Sequence, residues 1–181
     1  MNYGNIKYCD IANGPGVRTT LFVSGCTHRC EGCFQPETWS FAFGEEFTSD
    51  AADAVIESLK PGYVQGLTIL GGEPMEPANQ KGLAPLLARV RRECPGKDVW
   101  VYTGDTIEDL LFGSRHMEDT DALLEHIDVL VDGPFVQELK SIGLRFRGSS
   151  NQRIIDVPAT LASKQVEFWK DDPQYAVHDM V

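Results

Sequence analysis

The sequence has little positive charge and contains no long apolar run. Its 181 residues include 16 Lys and Arg against 27 Asp and Glu, which gives a net charge of −11. This excess of negative charge would repel a phosphate backbone, so we expect no nucleic acid among the partners. No apolar stretch approaches the roughly 20 residues that a membrane-spanning helix requires, so we expect no membrane association either.

The chain also lacks the marks of a secreted protein. Residues 1–7 contain no basic patch followed by an apolar stretch, the pattern of a secretory signal, and we therefore expect a cytoplasmic protein. There are five cysteines, an odd number, and three of them fall between positions 26 and 33. Because structural disulfides do not persist in a reducing cytosol, this cluster of cysteines indicates metal binding or catalysis.

Short apolar runs, rich in β-branched and aromatic residues, alternate with segments of helical periodicity. The predicted strands are 19–24, 67–70, 99–103 and 127–131. The predicted helices are 51–59 behind a cap at Thr48 or Ser49, 83–90, a short helix opened by Thr106, and a further turn at 121–126. This alternation predicts parallel βα units, in an open sheet or a partial barrel, with the chemistry at the carboxyl ends of the strands.

The length of the chain favours a single domain. After position 143 the pattern weakens: segments 144–148 and 153–157 have the composition of extended pieces, and the remainder is polar and acidic. We therefore divide the chain into a core domain, 1–157, and a C-terminal extension, 158–181, to which the sequence assigns no role.

The strongest local signal is a C-x3-C-x2-C run formed by Cys26, Cys30 and Cys33, directly after a predicted strand. Three thiolates on one tight loop can hold an iron–sulfur cluster, since thiolate is the ligand that such clusters require. A four-iron cubane that is held by three cysteines has one iron free to bind something else.

A structural zinc site is the alternative interpretation of these cysteines. Such a site normally closes with a fourth Cys or His at paired spacing. His28 lies inside the loop and Cys94 lies far away in the sequence, so neither completes a zinc ribbon. We interpret His28 as a solvated loop residue, Cys94 as a half-buried thiol and Cys9 as a small packing residue.

A second motif, Gly71-Gly72-Glu73-Pro74, follows the second predicted strand. Glycines let a backbone come close to a ligand, and the Glu73 carboxylate suits a cationic amino group. Taken alone, these four residues are typical of an ordinary turn. Together with the cysteine loop, they predict a ligand site at the ends of two neighbouring strands.

The two motifs, with the aromatic Phe34 after the last cysteine, resemble the radical S-adenosylmethionine superfamily in their order and position. Further segments are similar to one branch of it, the family of anaerobic ribonucleoside-triphosphate reductase-activating proteins. These segments are 13–18, 21–26, 38–39, 102–104, 131–135 and 147–153. Each segment alone is a weak signal, but their joint order is specific, and the resemblance runs from about position 3 to position 157.

The resemblance implies a fold and a reaction. The fold would be α/β, a partial (βα) barrel of the radical S-adenosylmethionine type that is open on one side, with the cluster at the C-terminal ends of the strands. A flavodoxin or ferredoxin would reduce a [4Fe–4S] cluster, and S-adenosylmethionine would then be cleaved to methionine and a 5′-deoxyadenosyl radical. That radical would take a hydrogen atom from a glycine in the C-terminal segment of the anaerobic reductase.

The resemblance also implies roles for individual residues. The cluster ligands would be Cys26, Cys30 and Cys33. The cofactor-binding residues would be Gly32, Cys33 and Phe34 beside the cluster, Gly71, Gly72, Glu73 and Pro74 at the amino acid end, and Thr103 and Asp132 after the next two strands.

Three positions have further interpretations. Asp132 also fits a turn before Gly133, whereas the resemblance would place a cofactor contact or a cation near it. Pro134 stands where the related activator of pyruvate formate-lyase has a lysine, so no basic contact is expected there. The loop 13–18, which precedes the first predicted strand, is the candidate for contacting the glycyl peptide, although Gly-Pro-Gly is also a plain turn.

Two other functions fit parts of the sequence. Another small radical S-adenosylmethionine enzyme, such as a different glycyl-radical activator or a deazapurine-modifying enzyme, would share both motifs. A small iron–sulfur electron carrier, or a zinc-bearing interaction module, would share the cysteine loop alone. Binding and cleavage of S-adenosylmethionine distinguishes the radical enzymes from the second group.

Overall fold

A mixed seven-stranded sheet forms the centre of the protein, as seen in a computed structural model that describes residues 1–170. In spatial order the strands are β3, β1, β2, β4, β5, β6 and β7. Their bounds are β1 Asn2–Asp10, β2 Val17–Val23, β3 Glu45–Glu46, β4 Val64–Gly71, β5 Asp98–Tyr102, β6 Val129–Asp132 and β7 Arg153–Asp156. Strands β2, β4, β5 and β6 pair in parallel, and β1, β3 and β7 join antiparallel at the two sides. The α/β prediction is therefore confirmed, with an open, mixed sheet.

Five α-helices connect or flank these strands. They are α1 Ser49–Leu59, α2 Pro77–Glu93, α3 Ile107–Phe112, α4 Thr120–Leu124 and α5 Val157–Ser163. The predicted caps are confirmed, because the Thr48 hydroxyl accepts a hydrogen bond from the Ala51 amide at 3.3 Å and Thr106 does the same for Asp109 at 3.2 Å. Within residues 1–170, no helix combines the length and apolar character needed to cross a bilayer.

The two faces of the sheet differ in what covers them. One face packs against the helices, and its buried strand residues are Leu21, Val23, Leu67, Ile69, Val99, Val101 and Leu130. The helices contribute Val55, Ile56, Leu59, Leu83, Leu86, Leu87, Val90 and Ile107. Each such side chain contributes about 1.5–3 kcal/mol of hydrophobic free energy, so this layer is the main source of stability. The other face carries a smaller group of Trp100, Val129 and Val131, with Phe146 and Trp169 against it.

The edges of the fold depart from the sequence-based expectations. Strand β1 was outside the predicted set, and segment 144–148 forms no strand, whereas the extended piece at 153–157 is confirmed by β7. The C-terminal extension expected from position 158 begins within α5, Val157–Ser163, where Thr160 is buried. The Asp156 carboxylate caps α5 by accepting the Ala159 amide at 2.9 Å. The rest of that extension, 171–181, lies outside the described residues.

Asp10, at the end of β1, anchors the turn that leads into β2. Its carboxylate is 1% exposed and accepts hydrogen bonds from Lys7 at 2.7 Å, Asn13 at 2.6 Å and Thr20 at 2.8 Å. Burial by itself would raise the pKa of Asp10, but these hydrogen bonds outweigh it and lower the pKa to about 2.

Acid should therefore weaken the fold through Asp10. Because its pKa is lower in the folded than in the unfolded chain, its contribution is present above the unfolded value and disappears as the pH falls towards 2. When the pH is lowered from 6 to 3, the unfolding free energy of the original protein should fall by about 1 kcal/mol more than that of the Asp10→Asn variant. Urea titrations at the two pH values measure this difference, and equal losses in both proteins would contradict it.

Candidate active site

A cavity of about 610 Å³ opens on the face of the sheet that the helices leave uncovered. Phe22, Leu70 and Tyr102 form its floor, since they alternate along their strands with residues that face the helices. Eight of the predicted site residues line it: Cys26, Cys30, Cys33, Phe34, Gly71, Gly72, Glu73 and Thr103. The loops at the carboxyl ends of β2, β4 and β5 thus meet at one place, as expected for parallel strands.

The cysteine loop begins directly after β2 and is held by backbone hydrogen bonds. The Gly25 amide donates to the Thr38 carbonyl at 2.8 Å, and the Cys26 amide donates to the Trp39 carbonyl at 3.2 Å. These two acceptors belong to a short 3₁₀ helix, Pro36–Trp39. The Cys33 amide closes the loop by donating to the Cys30 carbonyl at 3.2 Å. All three cysteines are free thiols, so they are available as ligands.

The donor set fits an iron–sulfur cluster better than a structural zinc ion. Three soft sulfur donors come from one loop and face one cavity, which is large enough to hold more than a single ion. No fourth cysteine lines this cavity among residues 1–170, and the His28 ring, which does line it, lies against Glu73 and Asp105. The Cys94 thiol is buried on the helix-covered face and contacts the Ile56 carbonyl at 3.6 Å. Cys9 is exposed on β1, so its interpretation as a packing residue is wrong.

His28 is tied to two carboxylates, and its interpretation as a solvated residue is wrong. Its Nε2 atom lies 3.2 Å from Asp105 and 3.1 Å from Glu73. These two carboxylates, Asp105 foremost, raise the pKa of His28 to about 10, against the opposing effect of burial. The protonated ring therefore forms an ion pair with carboxylates from two other loops.

The Gly71-Gly72 turn lies directly against the backbone that precedes the cysteine loop. The Gly72 amide donates to the Val23 carbonyl at 2.7 Å, and the Glu73 amide donates to the Gly25 carbonyl at 2.8 Å. A Cβ atom on Gly72 would lie 2.6 Å from the Gly25 oxygen. Glycine is therefore required here for contact between two loops, in addition to any approach to a ligand.

Glu73 is buried, with 1% exposure, and its carboxylate joins three loops. One oxygen accepts the Met75 amide and the Thr103 hydroxyl, both at 2.8 Å. The other accepts the Gly104 amide at 2.7 Å and lies at ion-pair distance from His28. Thr103 thus contributes to the site by holding Glu73 in place. Three hydrogen bonds therefore hold the Glu73 carboxylate in one place on the wall of the cavity.

Two polar side chains in the first turn of α2 support this arrangement, and neither belongs to a motif of the sequence analysis. Asn79 is fully buried and donates to the Ser24 carbonyl at 3.0 Å and to the Glu73 carbonyl at 2.8 Å. Gln80, also fully buried, donates to the Met75 carbonyl at 2.7 Å. Buried polar residues at successive helical positions are uncommon, but burial is seen only in the folded chain, so no sequence signal would have found these two.

Asn79→Ala should lower the unfolding free energy by about 2 kcal/mol, because two buried carbonyl groups would lose their donor. The loss should be seen as a lower midpoint in urea, with an unchanged slope. Asn2→Ala, a change outside this network, is the control and should stay within about 0.5 kcal/mol. Equal stability of Asn79→Ala and the original protein would show that Asn79 does not support the turn.

Asp132 lies outside the cavity. It is fully buried, and its carboxylate accepts hydrogen bonds from the Ile107 amide at 2.9 Å and from Arg153 at 2.9 and 2.6 Å. These bonds place it between α3 and β7. Gly32 and Pro74 are also absent from the cavity wall, although each adjoins a residue that lines it.

Other predicted segments do reach the cavity. Asn13, from the loop that precedes β2, lines it, and so do Arg147, Gly148 and Gln152. Phe34 stacks against Phe135 with ring centres 5.2 Å apart, which gives the mouth of the cavity an aromatic side.

Comparisons with known proteins show which proteins the chain is similar to. A family model described as a 4Fe-4S single cluster domain matches residues 12–155. The anaerobic ribonucleoside-triphosphate reductase-activating protein of Vibrio cholerae is 46% identical over 156 residues, 85% of this chain and 97% of that protein. The protein of the same name from Escherichia coli K12 is 46% identical over 84% of this chain and 96% of the Escherichia coli protein. The protein of the same name from bacteriophage T4 is 40% identical over 85% of this chain and 93% of the phage protein.

Proposed function

Because the chain belongs to the family of anaerobic ribonucleoside-triphosphate reductase-activating proteins, and is thus an activating enzyme, we propose that it generates a glycyl radical on such a reductase. The observation that carries the proposal is the meeting of three free thiols and the Glu73 turn on one cavity. A [4Fe–4S] cluster, when bound, would supply the electron that cleaves S-adenosylmethionine to methionine and a 5′-deoxyadenosyl radical. We place this reaction in the cytoplasm, where thiols stay reduced.

Cys26, Cys30 and Cys33 would hold three irons of the cluster. Their shared loop brings three donors into one cavity, and residues 1–170 offer no fourth thiol there. The remaining iron would be open to the amino and carboxylate groups of S-adenosylmethionine. The three cysteines therefore determine both where the cluster is held and which side of it faces the cofactor.

The rest of the cavity would orient the cofactor. Gly71, Gly72 and Glu73 would face its amino acid end, where the Glu73 carboxylate can accept a hydrogen bond from the amino group. The Phe34 ring would lie beside the adenine and ribose, together with the neighbouring Gly32. The proposed direct contacts exclude Asp132, because it does not line the cavity, whereas Glu73 does.

The open side of the sheet suits a partner that brings its own substrate segment. We assign β2, β4, β5 and β6 to the partial (βα) barrel of the superfamily, open between the edges of the sheet. The glycine-bearing C-terminal segment of the reductase would enter along Asn13, Arg147, Gly148 and Gln152, which line the cavity. Entry of this segment would exclude water from the radical. A reduced flavodoxin or ferredoxin would supply the electron.

Anaerobic reconstitution with iron and sulfide, followed by reduction with S-adenosylmethionine present, tests the proposal. We expect 5′-deoxyadenosine by chromatography, and a glycyl radical by electron paramagnetic resonance once the reductase is added. A confirmed four-iron cluster without 5′-deoxyadenosine would reject the radical chemistry and favour an electron carrier. Release of 5′-deoxyadenosine without a glycyl radical would instead reject the partner and favour another small enzyme of the superfamily.

A further inference from the structure

Five residues form a closed chain of contacts behind the cysteine loop, which we call the charged ring: Thr27, His28, Glu76, Asp105 and Arg115. The Thr27 amide donates to the Glu76 carboxylate at 2.9 Å, and the Thr27 hydroxyl donates to the same oxygen. Arg115 lies 3.6 Å from that oxygen and donates to Asp105 at 2.9 Å. His28 lies 3.2 Å from Asp105, and the peptide bond between Thr27 and His28 closes the ring.

The ring joins the cysteine loop to three other parts of the chain. Glu76 is the N-cap residue of α2, Asp105 lies between β5 and α3, and Arg115 lies between α3 and α4. Both carboxylates are nearly inaccessible, Glu76 at 4% and Asp105 at 5%, so each depends on cationic and N–H partners. Arg115 is the cation that joins one carboxylate to the other, and it lies outside the cavity wall.

The cysteine loop needs external support of this kind. Arg29, the residue after the ring's two loop members, has a φ of 50°, in the left-handed region that non-glycine residues rarely adopt. Such a conformation costs about 1 kcal/mol or more and persists where the surroundings impose it. The imidazole of His28 is also packed closely on Gly104, where a Cβ atom would lie 2.8 Å from the ring. Thr27 is therefore held by Glu76, and His28 is held between Asp105 and Gly104.

We propose that Arg115 is a positioning residue, which holds the segment between Cys26 and Cys30 in its ligand-binding shape through Glu76 and Asp105. The inference rests on the proposed function, since it takes these cysteines as cluster ligands. Without Arg115, two buried carboxylates would lose a shared cation, and water or a rearranged loop would have to replace it. The loop would then exchange between shapes, in the protein without iron as well as in the loaded enzyme.

Hydrogen exchange on the iron-free protein tests the inference directly. In Arg115→Met, the amides of Thr27 and His28 should exchange about tenfold faster or more. Arg89→Met is the matched control, since Arg89 has a similar exposure, 28% against 24%, and also pairs with two carboxylates, Asp53 and Glu93. It should leave the loop amides within about twofold. Unchanged exchange in Arg115→Met would overturn the inference.

A second variant covers the case in which Arg115→Met does not fold. Glu76→Gln keeps the volume of the side chain and an acceptor for Thr27, but it removes the charge that faces Arg115. It should also speed exchange at Thr27, by about threefold or more. Exchange equal to that of the original protein would count against the ring.

Cofactor binding separates this inference from the proposed function. At equal iron content, Arg115→Met should bind S-adenosylmethionine about tenfold more weakly than Arg89→Met, as measured from its effect on the electron paramagnetic resonance signal of the reduced cluster. Equal affinities would overturn the positioning role, even if the original protein cleaves the cofactor. If the original protein fails to cleave it, the proposed function fails, and the exchange measurement still decides whether Arg115 holds the loop.

Discussion

Cys30→Ala is expected to give a folded protein that retains no four-iron cluster and releases no 5′-deoxyadenosine. Cys30 lines the cavity with the other two loop cysteines, and its replacement leaves two thiols where a cluster needs three. The fold should survive, because the loop is anchored by backbone hydrogen bonds at Gly25 and Cys26 that the substitution does not touch. Iron retained after reconstitution and gel filtration should fall by more than about tenfold.

The controls for this result are the two cysteines outside the loop. Cys9 is exposed on β1, and Cys94 is buried on the helix-covered face, so neither alanine variant should change the iron content or the optical spectrum. Cys94→Ala should only lower stability, by about 1 kcal/mol. A four-iron spectrum in Cys30→Ala, or its loss in Cys9→Ala, would refute the ligand assignment.

Gly72→Ala is expected to cost about 3 kcal/mol of unfolding free energy and to abolish cleavage of S-adenosylmethionine. The new Cβ atom would lie 2.6 Å from the Gly25 carbonyl oxygen, a backbone atom that cannot rotate away. The Gly71-Gly72 turn and the start of the cysteine loop would have to separate. Their two hydrogen bonds, from the Gly72 and Glu73 amides, would lengthen or break.

Gly62→Ala is the matched control for this substitution. Nothing lies within 4 Å of a Cβ atom at that position, and Gly62 is exposed at the end of α1. Its unfolding free energy in urea should change by less than about 0.5 kcal/mol, with full cleavage activity. A Gly72→Ala protein as stable and active as Gly62→Ala would show that the two loops do not depend on this contact.

The parallel centre of the fold was predictable because most of its strand residues are buried. Residues such as Leu21, Ile69 and Val101 form short continuous apolar runs, and the Thr48 cap marks the start of α1. Strand β1 was not predictable in this way, since most of its residues are partly or fully exposed and show no alternation. Helix α5 was outside the predicted set, because the segment from position 158 was described only by its polar composition, whereas proline in the first turn favours a helix.

The candidate site was likewise predictable where its residues form local sequence patterns, and not where its contacts join distant loops. The cysteine spacing and the Gly71-Gly72-Glu73 motif are local patterns, and their position at adjacent strand ends follows from the parallel sheet. The partners of His28 are not local, because Glu73 and Asp105 come from other loops. For the same reason, sequence spacing could not reveal that Asp132 is held by Arg153. Such contacts depend on the folded arrangement of the loops.

The sheet has helices on one face and the cavity on the other, and alternate residues of each strand belong to different faces. Leu21 and Val23 support the helices, while Phe22 between them borders the cavity. Selection for stability and selection for substrate therefore act on separate sets of side chains. A descendant gene could acquire a different substrate by changing cavity residues and loops, while it inherits the packed layer intact.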